Sequence, residues 1–356
     1  MGRLRLGETC TVIQTDWCAA DRSVEDAVFG GSGLKIDFSM KELRTEAEVL
    51  DQCTEADALM VAYVPLPRRV LEALPHCRGI AYMATGFNSV DINAATELGI
   101  VVTNVAGYCT PEVADHAIGF LLALSRNTVR LNGSVKSGVW DYKLFGYPER
   151  LSTQTLGIIG LGRIGTQAAL RAQAFGLQVV ACDPYVDEQQ MAAVGVRKVG
   201  LQEAVAADFV SIHCLLTPET HHLIDESVLA QMKPGAYLIN TARGAIVNTE
   251  ALTAALQAGR LAGAGLDVLD PEPAPAGHQI YSLPNVVITP HAAFYSRTAE
   301  EEGRRRCCQE VVSVLRGEVP RHVCNPDVLA SPALRMAAAT GSAKPQSSAV
   351  AGRDRT

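Results

Sequence analysis

Three residues that together could reduce a ketone each stand just past an apolar run: Arg243, Glu272 and His291. Arg243 follows Leu238-Ile239-Asn240-Thr241-Ala242 and precedes Gly244. A guanidinium there can grip a substrate carboxylate through two parallel N–H bonds, among neutral neighbours that do not compete for it. Glu272 lies between Pro271 and Pro273, which stiffen the loop after Gly265-Leu266-Asp267-Val268, and His291 follows Val287-Ile288-Thr289-Pro290. Adding hydride to a ketone carbon puts negative charge on its oxygen, so a proton donor must face it. His291 fills that role if Glu272 accepts a hydrogen bond from its other ring nitrogen and favours the imidazolium. In the oxidation direction His291 takes a hydroxyl proton instead. Singly, each residue has a bland reading: a solvated arginine, a turn carboxylate, a core histidine. Their common position at strand ends, where open α/β sheets bind ligands, makes them one constellation.

A hydride needs a carrier, and the chain has a place for one. Gly160-x-Gly162-x-x-Gly165 follows the apolar run Leu156-Gly157-Ile158-Ile159 and, through Arg163 and Ile164, opens a helical segment. Gly160 permits the tight turn, Gly162 admits a pyrophosphate against the backbone, and Gly165 lets the helix pack on the sheet. The helix N-terminus then stabilises the phosphates. Asp183, in Cys182-Asp183-Pro184-Tyr185, ends the next strand. Its carboxylate suits ribose hydroxyls and repels an added 2′-phosphate, which selects NAD over NADP.

These residues need a particular scaffold. Apolar runs at Thr11–Ile13, Ala58–Ala62, Gly79–Tyr82 and Ile100–Val102 alternate with helix-period stretches at Val70–Leu74 and Ile92–Leu98. A long helix is expected from Pro111 through Leu124 towards Val135, with His116 within it as a core or hinge residue. A second series follows, at Leu156–Ile159, Leu177–Cys182, Phe209–Leu215, Ala236–Asn240, Gly263–Val268 and Val286–Thr289. The fold class is therefore α/β: two doubly wound parallel-sheet lobes, a Rossmann NAD-binding domain at 111–296 and a flavodoxin-like substrate domain. A helix from Ser296 to Arg316 returns the chain to the first lobe, so the substrate domain is discontinuous, 1–110 plus 297–328. Residues 329–356 lack periodicity and read as a disordered tail.

Composition narrows the partners. The net charge of −7 argues against nucleic acid, and 48% hydrophobic residues suffice for two cores. Apolar runs are only strand-length, so no membrane span is expected. The start Met1-Gly2-Arg3-Leu4-Arg5 has no signal-peptide character, and ten scattered cysteines without a CxxC pair suit a cytoplasmic protein with reduced thiols. The adjacent His221-His222 lacks metal-ligand spacing, and no metal is assigned.

The segments LGIIGLGRIG, LINTARGAIV, GLDVLDPEP and ITPHAAFYS occur in order and resemble the D-isomer-specific 2-hydroxyacid dehydrogenase family over roughly residues 55 to 325. RAQAFGLQVVACDPY, HHLI and PHAAFYS look most like C-terminal-binding-protein-like members. The resemblance implies that Arg243, Glu272 and His291 are catalytic and that Thr85 and Gly86 offer backbone amides to a substrate carboxylate, Thr85 touching the cofactor as well. It also implies a cofactor wall formed by Cys214, Leu215, Thr220, Thr241, Ala242 and Asp267, together with Arg243 and His291. It further implies a small 2-oxo or 2-hydroxy acid as substrate, and a homodimer joined through the nucleotide-binding domains. Three departures fall where the resemblance puts the substrate pocket. Phe294 replaces a tryptophan and Tyr82 an arginine of the corepressor branch, and Asn88-Ser89 stands where Asp-Asn is usual.

Two other readings compete. An NAD(H)-sensing, corepressor-like scaffold would need an exposed peptide groove, and it would not need to keep a proton donor. A reductase of a phosphonate-bearing oxo acid would use Arg68 and Arg69 near a first-lobe strand end.

Overall fold

The computed structural model describes residues 9–336. Its internal contacts divide the chain after Tyr108 and again before Ser296. The first unit is built on five parallel strands: β1 (Thr9–Gln14), β2 (Lys35–Met40), β3 (Ala58–Val61), β4 (Gly79–Tyr82) and β5 (Val101–Thr103), in the order β2-β1-β3-β4-β5. Every residue of β3, β4 and β5 is buried, as expected of parallel strands covered on both faces. The helix Arg297–Arg316 belongs to this unit, with Ser296 as its N-cap accepting from the Ala299 N–H. It lies so close to β4 that a side chain on Gly79 would meet Val314 at 2.8 Å.

The second unit carries seven parallel strands: β6 (Thr155–Ile159), β7 (Gln178–Cys182), β8 (Arg197–Lys198), β9 (Phe209–Ile212), β10 (Tyr237–Asn240), β11 (Gly263–Leu266) and β12 (Val286–Ile288). Their order is β12-β11-β10-β9-β6-β7-β8. The chain begins at β6, runs outward through β7 and β8, then returns to β9 on the other side. That reversal opens a crevice at the carboxyl ends of β6 and β9, where a doubly wound sheet takes its ligand.

Four sequence expectations need correction. The strand β2 was not foreseen: Lys35-Ile36-Asp37-Phe38-Ser39-Met40 is a partly exposed edge, and its polar residues mask the pattern. The two-residue edge β8 makes seven strands where six were read. The long helix is two, Thr110–Ser125 and Thr128–Lys136, because Asn127 adopts a left-handed conformation (φ 52°) that breaks the ladder. The supposed tail is ordered for its first part. Leu329, Leu334 and Met336 pack on Val101, Val314 and Val328, and Arg335 donates to the carbonyls of Leu74 and Cys77. Residues 337–356 of that expected tail lie outside the described residues.

Candidate active site

The glycine turn has the close approaches that its residue types demand. Gly160 sits at φ +90°, and a Cβ there would lie 2.5 Å from the Cys214 nitrogen. A Cβ on Gly165 would lie 2.2 Å from the Gly160 carbonyl oxygen. At Gly162, the N-cap of the helix Arg163–Ala174, a Cβ would meet open space. Arg163 is exposed and Ile164 half-buried on the first turn. Asp183 binds this turn from the end of β7: one carboxylate oxygen accepts the Leu161 N–H at 2.8 Å, the other the Tyr185 N–H at 2.8 Å. The ends of β6, β7 and β9 thus meet around Gly160, Asp183 and Cys214.

Beyond β9 the half-buried Cys214 has its thiol pushed up to about 11 by burial, and Leu215 is exposed. Thr220 folds its hydroxyl back onto the Leu215 carbonyl at 2.6 Å. His213 was not singled out from sequence. Burial pushes its imidazole down to about 4, so it is neutral at neutral pH, bonded to the Ser211 hydroxyl at 2.8 Å.

The ends of β10, β11 and β12 bring the candidate catalytic residues together. His291 Nδ1 lies 2.6 Å from Glu272 Oε1, while Glu272 Oε2 accepts the Leu269 N–H at 3.4 Å. His291 is a non-glycine residue at φ 53°, and its N–H donates to the Asp267 carbonyl at 2.8 Å. The Asp267 carboxylate fixes the same turn, accepting from the N–H groups of Ala292 (2.8 Å) and Ala293 (2.9 Å) and from the Thr289 hydroxyl (2.5 Å). Asp267 is 2% exposed. Its carboxylate turns inward to hold the histidine loop. His116 completes the support: its Nε2 lies 2.9 Å from Thr289 Oγ1, and its ring meets Phe120 edge-on.

Arg243 is positioned by Asn240, which donates to the Arg243 carbonyl at 2.9 Å and accepts the Ala242 N–H at 3.0 Å. The guanidinium donates to the Ala242 carbonyl at 2.7 Å. Next to it, Gly244 lies against the other catalytic loop, for a Cβ there would fall 1.7 Å from the Leu269 carbonyl oxygen. The loops bearing Arg243 and Glu272 are in backbone contact, and only glycine fits between them. Phe294 stands beside the histidine with ring centroids 6.4 Å apart.

Comparison with known proteins identifies the family. The family model for the D-isomer specific 2-hydroxyacid dehydrogenase NAD-binding domain matches residues 118–293. A glyoxylate reductase of Korarchaeum cryptofilum is 37% identical over 288 residues, spanning 79% of this chain and 86% of the relative. The chain belongs to the D-isomer specific 2-hydroxyacid dehydrogenase family. A D-3-phosphoglycerate dehydrogenase of Methanocaldococcus jannaschii is also 37% identical, over 79% of this chain and 54% of that protein. Among solved structures, D-lactate dehydrogenase from Aquifex aeolicus, complexed with NAD and lactic acid, superimposes with a TM-score of 0.80 at 28% identity. It covers 88% of this chain and 99% of that one.

This dehydrogenase takes NAD as its cofactor. Two features of the second unit fit that molecule. Gly162 leaves open space at a helix N-terminus, where a pyrophosphate is stabilised. The Thr241 hydroxyl is buried and has no hydrogen-bond partner among the described residues, so it awaits a polar group from a ligand.

The remaining sequence candidates lie in the first unit. The Thr85 carbonyl accepts from Asn104 at 2.7 Å, in the half-buried turn that also holds Gly86. Tyr82, assigned to the substrate pocket, is instead fully buried at the end of β4, with its hydroxyl 2.8 Å from Ser89 Oγ. It secures the 85–89 turn from beneath. Arg68 and Arg69 are already engaged on the outer surface, Arg68 with Glu97 at 2.7 Å and Arg69 with Glu46. A phosphonate bound there would compete with both carboxylates.

Proposed function

We propose that this dehydrogenase interconverts a small 2-oxo acid and its 2-hydroxy acid, with His291 as proton donor and acceptor, Glu272 orienting it and Arg243 holding the substrate carboxylate. The observation that carries the reading is the 2.6 Å contact of His291 Nδ1 with Glu272 Oε1. It fixes the ring's orientation and, because a carboxylate only accepts, puts a proton on Nδ1, so Nε2 is the nitrogen we assign to proton exchange with substrate. Bound NAD supplies the hydride or accepts it. Arg243 polarises the carbonyl as well as gripping the acid, because its positive charge lies where oxygen charge develops. The glyoxylate reductases among the relatives favour a small substrate.

The test is NADH oxidation, followed by absorbance, against glyoxylate, pyruvate, hydroxypyruvate, branched and aromatic 2-oxo acids and phosphonopyruvate. Turnover of a small member is expected. Tight NADH binding with no turnover of any member would overturn the enzyme reading and favour the NAD(H)-sensing scaffold.

We further propose a homodimer joined through the NAD-binding unit. None of the helix Thr128–Lys136 is buried, and the segment after it exposes Trp140 (88%), Tyr142, Leu144 and Tyr147 (92%). So much aromatic surface on one stretch of chain is costly in water and suits a partner copy. Sedimentation is expected to give a dimer for the parent and a monomer for a Trp140→Ser/Tyr147→Ser double variant. A monomeric parent at micromolar concentration would exclude this assembly. The buried thiols Cys53, Cys77, Cys307 and Cys308 form no disulfide, which suits a cytoplasmic, reducing location.

A further inference from the structure

Sequence spacing gives His221-His222 no third ligand, yet the fold brings Asp270 to them. One ligating atom from each of His221, His222 and Asp270 lies within 4.8 Å of the others. The imidazoles stack with centroids 4.1 Å apart, and His222 Nε2 is 3.1 Å from Asp270 Oδ2. We propose that these three side chains form a binding site for a borderline divalent transition cation of the zinc class, separate from the Glu272–His291 pair.

The chemistry of the donors selects that class. Two imidazole nitrogens and one carboxylate suit zinc, cobalt or nickel and are a poor match for calcium or magnesium, which prefer all-oxygen shells. Donors about 2.1 Å from a tetrahedral zinc stand roughly 3.4 Å apart, so the widest pair closes in by at most about 1.4 Å, while His222 Nε2 and Asp270 Oδ2, at 3.1 Å, already stand near that spacing. His221 is exposed and the other two are half-buried, so side-chain rotations can supply that distance. Water takes the remaining coordination position.

The backbone under the site is specified more tightly than a chance surface pair requires. His222 adopts φ 50°, uncommon for a residue with a side chain. Its N–H donates to the Ala245 carbonyl at 2.8 Å, and the Ile224 N–H to that of Ile246 at 3.0 Å. Asp270 is held from the same stretch of chain, its N–H donating to Thr249 Oγ1 at 3.1 Å. The ligands therefore come from two segments that are both tied to residues 245–249, just past Arg243. A cation bridging them cross-links the loop after β9 to the loop after β11, and so stabilises the unit increasingly as its concentration rises above its dissociation constant.

The experiment is calorimetric titration of the metal-stripped full chain with zinc chloride, in the parent and in His221→Ala, His222→Asn and His291→Asn. Asparagine keeps the left-handed backbone at 222 accessible. The parent and His291→Asn are expected to bind one equivalent with equal affinity, and zinc is expected to raise the unfolding temperature of both. His221→Ala and His222→Asn are expected to bind more than about 100-fold more weakly, since even an outer-shell partner is worth about 10–100-fold. Their unfolding temperatures without metal and their NADH affinities report whether they fold, and His221→Ala alone suffices if His222→Asn does not. Undiminished binding in His221→Ala, loss of binding in His291→Asn, or no binding by the parent would each overturn the proposal. So would cobalt(II) giving a thiolate charge-transfer band, since the ion would then sit on a cysteine. All of these read metal occupancy, so they stand apart from the assignment of turnover.

Discussion

Replacing His291 with asparagine is expected to lower kcat by about 10²–10⁴-fold, the usual worth of a positioned acid or base, while NADH affinity changes little. Asparagine is the informative choice because position 291 lies at φ 53°. Alanine there adds a backbone cost that would blur a chemical effect with a conformational one, whereas asparagine tolerates the left-handed region. The turn itself is held by backbone and by Asp267, through the N–H groups of His291, Ala292 and Ala293, so the variant loop keeps its supports. Asparagine cannot cycle a proton at the vacated position. Glu272→Gln is expected to give a smaller loss, because the amide oxygen can still accept from Nδ1 and orient the ring but lacks the carboxylate's charge-assisted hydrogen bond. Stopped-flow measurement of the hydride step separates this from slow product release. Near-parental turnover by His291→Asn would remove His291 from the proton path.

What the sequence made legible here, and what it hid, follow from how far apart cooperating residues stand along the chain. The glycine turn and Asp183 are local devices: a strand, a tight turn and a helix start within a few residues, so type and spacing suffice. The strand-end positions of Arg243, Glu272 and His291 follow from three apolar runs. The inward turn of Asp267 onto Thr289, Ala292 and Ala293 could not be read, because it depends on β11 and β12 being neighbours in register. Nor could the approach of Asp270 to His222, forty-eight positions earlier. Edge strands were lost for a different reason: β2 and β8 are partly exposed, so their residues alternate or stay polar and give no apolar run. Tyr82 was misplaced because alignment to a motif reports position and says nothing of which way a strand-end side chain points.

Arg243 carries the second large expectation: Arg243→Lys and Arg243→Gln should lower kcat/KM by about 10²-fold and 10⁴-fold respectively. Two charge-assisted hydrogen bonds to a carboxylate are worth about 1.5–3 kcal/mol each, and tenfold corresponds to about 1.4 kcal/mol. Lysine retains the charge and one bond but not the planar fork; glutamine loses the charge as well. Asn240 holds the Arg243 backbone on both sides and Gly244 seats it against Leu269, so neither variant is expected to move the loop. Stability should therefore be unchanged, with equal denaturant midpoints. The decisive comparison uses a ketone matched to the preferred substrate but lacking its carboxylate. If Arg243 grips that group, the parent should lose about as much on this ketone as Arg243→Gln loses on the acid, and the variant on the ketone should lose little more. Such a cycle isolates the pairwise interaction. Losses that simply multiply would show that Arg243 acts on the carbonyl or on the cofactor, and that the carboxylate is held by other groups.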